Sequence, residues 1–252
     1  MHGPEVSVIV PAYNSAATLG RALESVASQQ GVDWELVVVD DGSVDATFEV
    51  ASSFAREYGR TQVISRQNAG RSAARNVGIR AARGTWLCFL DADDRYVPGA
   101  FRAMLDASVG CDLVWSAYET PDGAFGELGA QGRIAPREAI RAFVDPRGYE
   151  QADGRFGIGR GVLCRSAWAK LIRADLVVPN GIVFPEGLFK GEDGLFSLRC
   201  IAHAREIGYV GRPAYYWDTS CSKTCVRFER RHSRALGDYA ACCWPYLEAE
   251  LR

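Results

Sequence analysis

Four clusters of residue types in this chain could do chemistry. The densest is Asp91-Ala92-Asp93-Asp94, three carboxylates in four residues, directly after the apolar run 86–90. Ionised carboxylates this close repel one another unless a cation lies among them. A divalent metal with oxygen ligands relieves the repulsion and can also hold a diphosphate. The same residues serve equally as a polar turn whose aspartates cap a helix. Asp40-Asp41-Gly42-Ser43 repeats the theme as a turn and N-cap, with one Asp able to meet a base or ribose. Asn68-Ala69-Gly70-Arg71-Ser72, continuing to Arg75-Asn76, offers a glycine turn, a helix start and two arginines. That combination suits a diphosphate, and also a capped, solvated helix. Gly191-Glu192-Asp193 puts two acids at another helix start. They are favourable partners of the helix dipole, and the setting keeps a carboxylate ionised, as a general base must be.

The elements that must position these clusters alternate between strand and helix periodicity. Short β-branched or apolar runs at 6–10, 36–39, 63–65, 85–90 and 112–116 read as strands. The stretches between them read as helices. Leu19, Leu23 and Val26 fall at helical spacing after a cap at Asn14 or Ser15, and 72–82 and 98–107 follow as further helices. The pattern implies an α/β fold, a mostly parallel central sheet flanked by helices. In such sheets ligands bind beyond the carboxyl ends of the strands. Tyr13-Asn14, Asp40-Asp41 and Asp91–Asp94 all stand at such ends, so chain order gathers them on one rim. Beyond 118 the signal weakens through a Gly-rich stretch to 161. Helices are expected at 136–143, 166–174 and 193–204, and a strand at 206–210. No repeat or clear boundary divides the chain.

The bulk numbers narrow the function classes. With 252 residues and a formal net charge of −2, the chain has room for a sizeable core and no global pull toward nucleic acid. Eight cysteines are present, but Cys88 and Cys111 sit in or beside apolar runs and read as buried small hydrophobes. The others lack the spacing of a zinc site, so reduced thiols and a cytoplasmic compartment are expected. Residues 1–10 lack a signal-peptide pattern and no apolar run is long enough for a membrane span. The basic segment 227–234 reads as part of a solvated C-terminal helical tail that could touch an acidic lipid surface at the inner membrane face.

Taken together, Val6-Ser7-Val8-Ile9-Val10-Pro11-Ala12-Tyr13-Asn14, Val39-Asp40-Asp41-Gly42-Ser43, the run from Asn68 to Asn76, and Leu90-Asp91-Ala92-Asp93-Asp94 resemble the family 2 glycosyltransferases. The resemblance is dense over 5–116. It resumes at Trp168–Arg173, Phe184–Gly187, Gly191–Phe196 and Tyr215-Tyr216-Trp217 with Ser220 and Ser222. It implies a GT-A fold, with a Rossmann-like nucleotide-binding half at 1–117, a smaller mixed acceptor-side half with the catalytic base at 118–226, and the tail at 227–252. By the same resemblance Pro11, Tyr13 and Asn14 line the nucleotide pocket with Asn68, and Asp41 meets the base. Arg71 or Arg75 approaches the base or phosphates. Asp91 and Ala92 lie near the ribose, and Asp93 ligates Mg²⁺ or Mn²⁺. Asp193 is the expected catalytic base, with Glu192 its alternative. Lys170 and the 220–222 segment close over the diphosphate. Two departures stand out: Ala169 where an Asn often precedes that Lys, and Trp217-Asp218 where a Tyr or Arg is common.

The implied activity is inverting transfer of a sugar from a nucleoside-diphosphate donor, expected to be a UDP-sugar, to an acceptor hydroxyl on a cell-surface polysaccharide or lipid-linked glycan. A carboxylate must take the hydroxyl's proton, while the metal and nearby cations stabilise charge on the leaving diphosphate. A dinucleotide-dependent dehydrogenase, or a sugar nucleotidyltransferase, needs a Gly-rich turn after the first strand; Pro11-Ala12-Tyr13-Asn14 stands there. An aspartate-nucleophile phosphatase wants Thr or Val where this chain has Arg95. The non-enzyme alternative is a donor-binding pseudoenzyme or partner-dependent scaffold subunit. The sugar, the acceptor and the oligomeric state are not legible.

Overall fold

The computed structural model describes residues 3–125, 132–144, 166–188 and 191–220. In chain order its elements are β1 (Val6–Ala12), α1 (Ala16–Ala27), β2 (Trp34–Asp40), α2 (Thr47–Glu57), β3 (Thr61–Ser65), α3 (Arg71–Ala81), β4 (Trp86–Phe89) and β5 (Arg95–Tyr96). They continue with α4 (Ala100–Asp106), β6 (Leu113–Thr120), β7 (Gly123–Phe125), β8 (Gly132–Ile134), α5 (Pro136–Val144), β9 (Lys170–Arg173), α6 (Ala174–Val177), α7 (Glu192–His203) and β10 (Ile207–Tyr216).

One mixed sheet runs in the order β3-β2-β1-β4-β9-β6-β10-β5, with β7 added to β6 and β8 to β10. Pairing is parallel from β3 to β4, and again between β6 and β10. Strand β9 lies antiparallel between β4 and β6, so those two point the same way. The carboxyl ends of β1, β2, β4, β6 and β10 therefore share one rim. The strand runs are continuously apolar because both faces are covered. Val6, Val8 and Val10 enter one core layer with Leu19, Leu23 and Val26 of α1. Ile9 points into the other, with Phe196 and Ile201 of α7. On that second face α3 rides directly on β1: a Cβ at Gly78 would stand 2.3 Å from Ile9 Cγ2.

The strand and helix expectations hold over the first half with end shifts of a few residues, and Cys88 and Cys111 are buried free thiols. Strands β6 and β10 run further than expected, and β6 crosses position 117, so the two expected halves share one sheet. The helix expected over 166–174 is a correction: this stretch is β9 followed by the short α6. Leu171 faces one core layer and Ile172 the other, a period of two that the antiparallel partners impose. Of the two expected caps of α1, Ser15 is the N-cap residue, though without a side-chain capping bond. Its hydroxyl donates to the Tyr13 carbonyl, and the first free N–H, that of Ala16, donates to Asp45. The 227–252 tail, Ser222 and the Gly-rich stretch from 145 to 161 lie outside the described residues. Among those described, no helix is long and apolar enough to cross a membrane.

Candidate active site

The loops after β1 and β2 are locked to each other before any ligand is considered. Asn14 has a left-handed φ of 50°. Its N–H donates to Ser43 Oγ at 2.9 Å and its side-chain carbonyl accepts from the Val44 N–H at 2.9 Å. An Asn tolerates this backbone better than most residues. The turn presents Tyr13 half-exposed at the rim, next to the partly buried Pro11. Asp41 is 3% exposed; its carboxylate accepts from the N–H groups of Ala69 and Gly70 and is ion-paired with Arg66, whose Nε lies 3.2 Å away. Asn68 Nδ2 donates to the Asp41 carbonyl. Gly42, at φ 75°, lets these loops touch: a Cβ there would lie 2.8 Å from the Asn68 nitrogen. Asp41 thus builds the turn that opens α3, a placement different from a carboxylate facing an open base pocket.

Arg75 is the centre of the arrangement. Its side chain is 1% exposed; Nη2 donates to Asp91 Oδ1 at 2.7 Å and Nη1 to Asp193 Oδ1 at 2.6 Å. Its guanidinium lies over the Phe184 ring. Burial alone would lower its pKa, but the charges of Asp193, Asp91 and Glu192 outweigh that and raise it. One helical turn earlier, Arg71 Nε meets Glu192 Oε1 at 2.5 Å. Two arginines of α3 therefore hold the two acids that begin α7. The second oxygen of Asp193 accepts from the Ala167 N–H at 3.2 Å. Burial, then the charge of Asp193, raises the Glu192 carboxyl, against the pull of Arg71. Asn76, next on α3, pins the loop before α7: it exchanges hydrogen bonds with the Phe184 backbone and donates to Glu186.

The acidic loop after β4 is fixed by groups from distant parts of the chain. Asp94 is buried and accepts from Tyr215 Oη at 2.7 Å and from the Asp218 N–H at 2.8 Å. Tyr215 Oη in turn accepts from the Asp91 N–H. Arg21 Nη2 donates to the Asp93 carbonyl and to Asp218 Oδ2. Burial, then the charge of Asp91, pushes the Asp93 carboxyl up to about 6. Burial, then Asp91 and Asp93, also raises Asp94. Burial and the neighbouring carboxylates both disfavour the ionised forms of Asp93 and Asp94. Among the described residues no three His, Cys, Asp or Glu side chains converge into a metal cage. Mg²⁺ is ordinarily held by one or two carboxylates plus substrate phosphates, and Asp93 beside Asp91 fits that mode.

The structure thus brings together Asp91, Ala92, Asp93, Arg71, Arg75, Glu192 and Asp193, and separately Pro11, Tyr13, Asn14, Asp41 and Asn68, along the same rim. Two expectations need correction. Arg75 does not reach out toward base or phosphates, because its guanidinium is buried between two carboxylates. Lys170 lies fully buried in β9, its ammonium donating to the Ser166 and Trp168 carbonyls and sitting 5.3 Å from the Trp115 ring centre. Sequence reasoning did not single out Arg21, Tyr215 or Asn76 for the roles seen here. Tyr215 and Asn76 lay within recognised motifs, Asp218 was noted only as a departure, and Arg21 carried no signal beyond a charge on a helix.

The profile of the family described as Glycosyl transferase family 2 matches residues 7–171. EpsH of Bacillus subtilis is 30% identical over 92% of this chain and 65% of its own length. The succinoglycan biosynthesis protein ExoO of Rhizobium meliloti is 35% identical over 61% of this chain and 46% of its own. The chain thus spans less than two thirds of either relative. The S. aureus TarS 1–349 structure in complex with UDP superposes with a TM-score of 0.71 over 85% of this chain and 60% of that one, at 24% identity. The likeness to TarS establishes the shared fold, the mostly parallel α/β sheet of the GT-A class.

Proposed function

Because the chain belongs to glycosyl transferase family 2, we propose that it transfers a sugar, with inversion, from a nucleoside-diphosphate sugar to an acceptor hydroxyl. The observation that carries the reading is that one buried guanidinium, Arg75, joins Asp91 of the acidic loop to Asp193 at the start of α7. The candidate donor acids and the candidate base lie on opposite sides of a single residue.

Asp193 is the general base. It keeps 20% side-chain exposure, whereas Glu192 keeps 3% and is closed off by Arg71. Arg75 and the Ala167 N–H orient the carboxylate that must accept the hydroxyl proton. The half-exposed Tyr13, with Pro11 and the backbone locked by Asn14, offers a face to the nucleotide base, and the Asn68–Gly70 turn held by Asp41 borders it. Arg71, 47% exposed, can leave Glu192 for a phosphate oxygen. Asp93 holds Mg²⁺ or Mn²⁺, with Asp91 beside it at the ribose and Ala92 leaving space between them. The metal supplies positive charge where the leaving diphosphate develops negative charge. UDP in the TarS complex supports a UDP-sugar donor. The part of ExoO in succinoglycan biosynthesis supports a glycan or lipid-linked acceptor in polysaccharide synthesis.

Calorimetric titration of UDP, with GDP as the control, in the presence and absence of Mn²⁺, tests the donor site. Metal-dependent binding to the wild type that disappears in Asp93→Ala is expected. Absence of binding by either nucleotide under every metal condition would sink the donor reading and favour a partner-dependent scaffold.

A further inference from the structure

Helix α1 presents two different faces. Leu19, Leu23 and Val26 enter the core. Arg21 and Ser25, one turn apart on the other face, and Gln29, just past the end of the helix, all reach the stretch that begins with the acidic loop. Arg21 Nη2 donates to the Asp93 carbonyl at 3.0 Å. Ser25 Oγ accepts from the Tyr96 N–H at 3.1 Å. Gln29 Nε2 donates to the Val97 carbonyl at 2.9 Å, and its carbonyl accepts from the Phe101 N–H at 3.3 Å. These three side chains hold the backbone from 93 to 101 through four hydrogen bonds.

The segment after β10 grips the same loop from the other side. Asp218 Oδ2 accepts from the nitrogen of Arg21 that also holds the Asp93 carbonyl, at 2.8 Å. The Asp218 N–H donates to Asp94, and its other carboxylate oxygen accepts from the N–H and hydroxyl of Ser220. Asp218 is 7% exposed in its side chain and Arg21 42%. None of these bonds uses the carboxylate of Asp93.

We propose that Arg21, braced by Asp218, is a positioning residue that aims the Asp93 carboxylate at the donor's metal. The inference rests on the reading of Asp93 as the metal ligand. Groups behind a metal ligand commonly change metal affinity 10–100-fold when removed. Arg21 is too exposed for its charge alone to act strongly across solvent, so its hydrogen bonds carry the effect. The guanidinium can hold a carbonyl and a carboxylate together, which a lysine ammonium on a single flexible stem does less well.

Mn²⁺ is titrated calorimetrically into the full chain saturated with UDP, or with GDP if the wild type binds that instead. The variants are Arg21→Met, Arg21→Lys, Asp218→Asn and the Arg21→Met/Asp218→Asn double variant. Arg21→Met and Asp218→Asn should each weaken Mn²⁺ binding by about tenfold or more. The double variant should be no worse than the more affected single one, and Arg21→Lys should fall between. Nucleotide affinity without metal should stay within about twofold of wild type. Wild-type Mn²⁺ affinity in folded Arg21→Met would overturn the inference. So would an equal loss of metal-free nucleotide binding, which marks general loosening. If the wild type itself shows no metal-dependent nucleotide binding, the donor reading fails and this inference falls with it.

Discussion

Arg75 and Asp193, 118 positions apart, meet at 2.6 Å, and the same guanidinium continues to Asp91 at 2.7 Å. The contact couples α3 to the start of α7 across the sheet rim. It also means that the candidate base is oriented by a charge that solvent cannot screen, since Arg75 is 1% exposed.

Asp193→Asn should therefore lower the turnover of sugar transfer by about 10²–10⁴-fold. The amide keeps the size and can still accept from the Ala167 N–H. Metal-dependent nucleotide binding, measured by calorimetry, should change little. A variant retaining more than a tenth of wild-type turnover on an identified acceptor would move the base elsewhere, with Glu192 the first alternative.

Arg75→Met should destabilise the fold. Removing one partner of a buried ion pair costs about 3–5 kcal/mol, and the lower end applies because Asp91 and Asp193 keep 30% and 20% exposure. Thermal unfolding should then fall by roughly 6–12 °C for a chain of this size. Arg75→Lys keeps the charge but cannot span both carboxylates. It should recover much of the unfolding temperature and little of the turnover. Equal recovery of both would show that charge, and not the aim of Asp193, is what Arg75 provides.

The sheet and the acid clusters were legible because their signals are local: β-branched runs ended by turn residues, and carboxylates placed at strand ends. The ion pairs were not, since no local pattern says that Arg75 turns inward to Asp193 and Arg71 to Glu192. Strand β9 was misread for a related reason. Trp168, Leu171 and Ile172 fall at helical spacing, and only pairing with β4 and β6 makes the stretch extended. The departure noted at Ala169 proved physically meaningful. Ala169 has a φ of 58°, the left-handed region in which an Asn is more at ease than an Ala. Lys170 follows that turn inward, which explains why its ammonium ends on backbone carbonyls.

Asp112 supplies a pH test away from the rim. Its carboxylate receives Arg205 Nη2 at 2.8 Å and the Arg205 N–H at 2.8 Å. Arg205's hydrogen bonds, against the opposing effect of burial, hold it below its ordinary 3.8. A carboxyl lowered by folding adds stability above its unfolded value and loses it as pH falls through the folded one. Asp112→Asn should thus unfold at a lower temperature than wild type at pH 7, and the gap should close below pH 3.8. A gap that persists unchanged at pH 2–3 would mean that Asp112 acts through packing instead.

Gly42→Ala tests whether the turn built by Asp41 serves the nucleotide. Gly42 sits at φ 75°, and the added Cβ would lie 2.8 Å from the Asn68 nitrogen. The left-handed backbone costs about 1–2 kcal/mol for an L-residue, and the contact is with main chain, which cannot swing aside as a flexible side chain can. The cheapest relief is to move the Asn68–Gly70 turn away from the β2 loop, loosening the hydrogen bonds from Ala69 and Gly70 to Asp41. If the turn borders the nucleotide, affinity should fall by about tenfold, the equivalent of about 1.4 kcal/mol. Calorimetry on the folded variant decides it. Wild-type nucleotide affinity alongside a lowered unfolding temperature would confine the Asp41 turn to holding α3 in place.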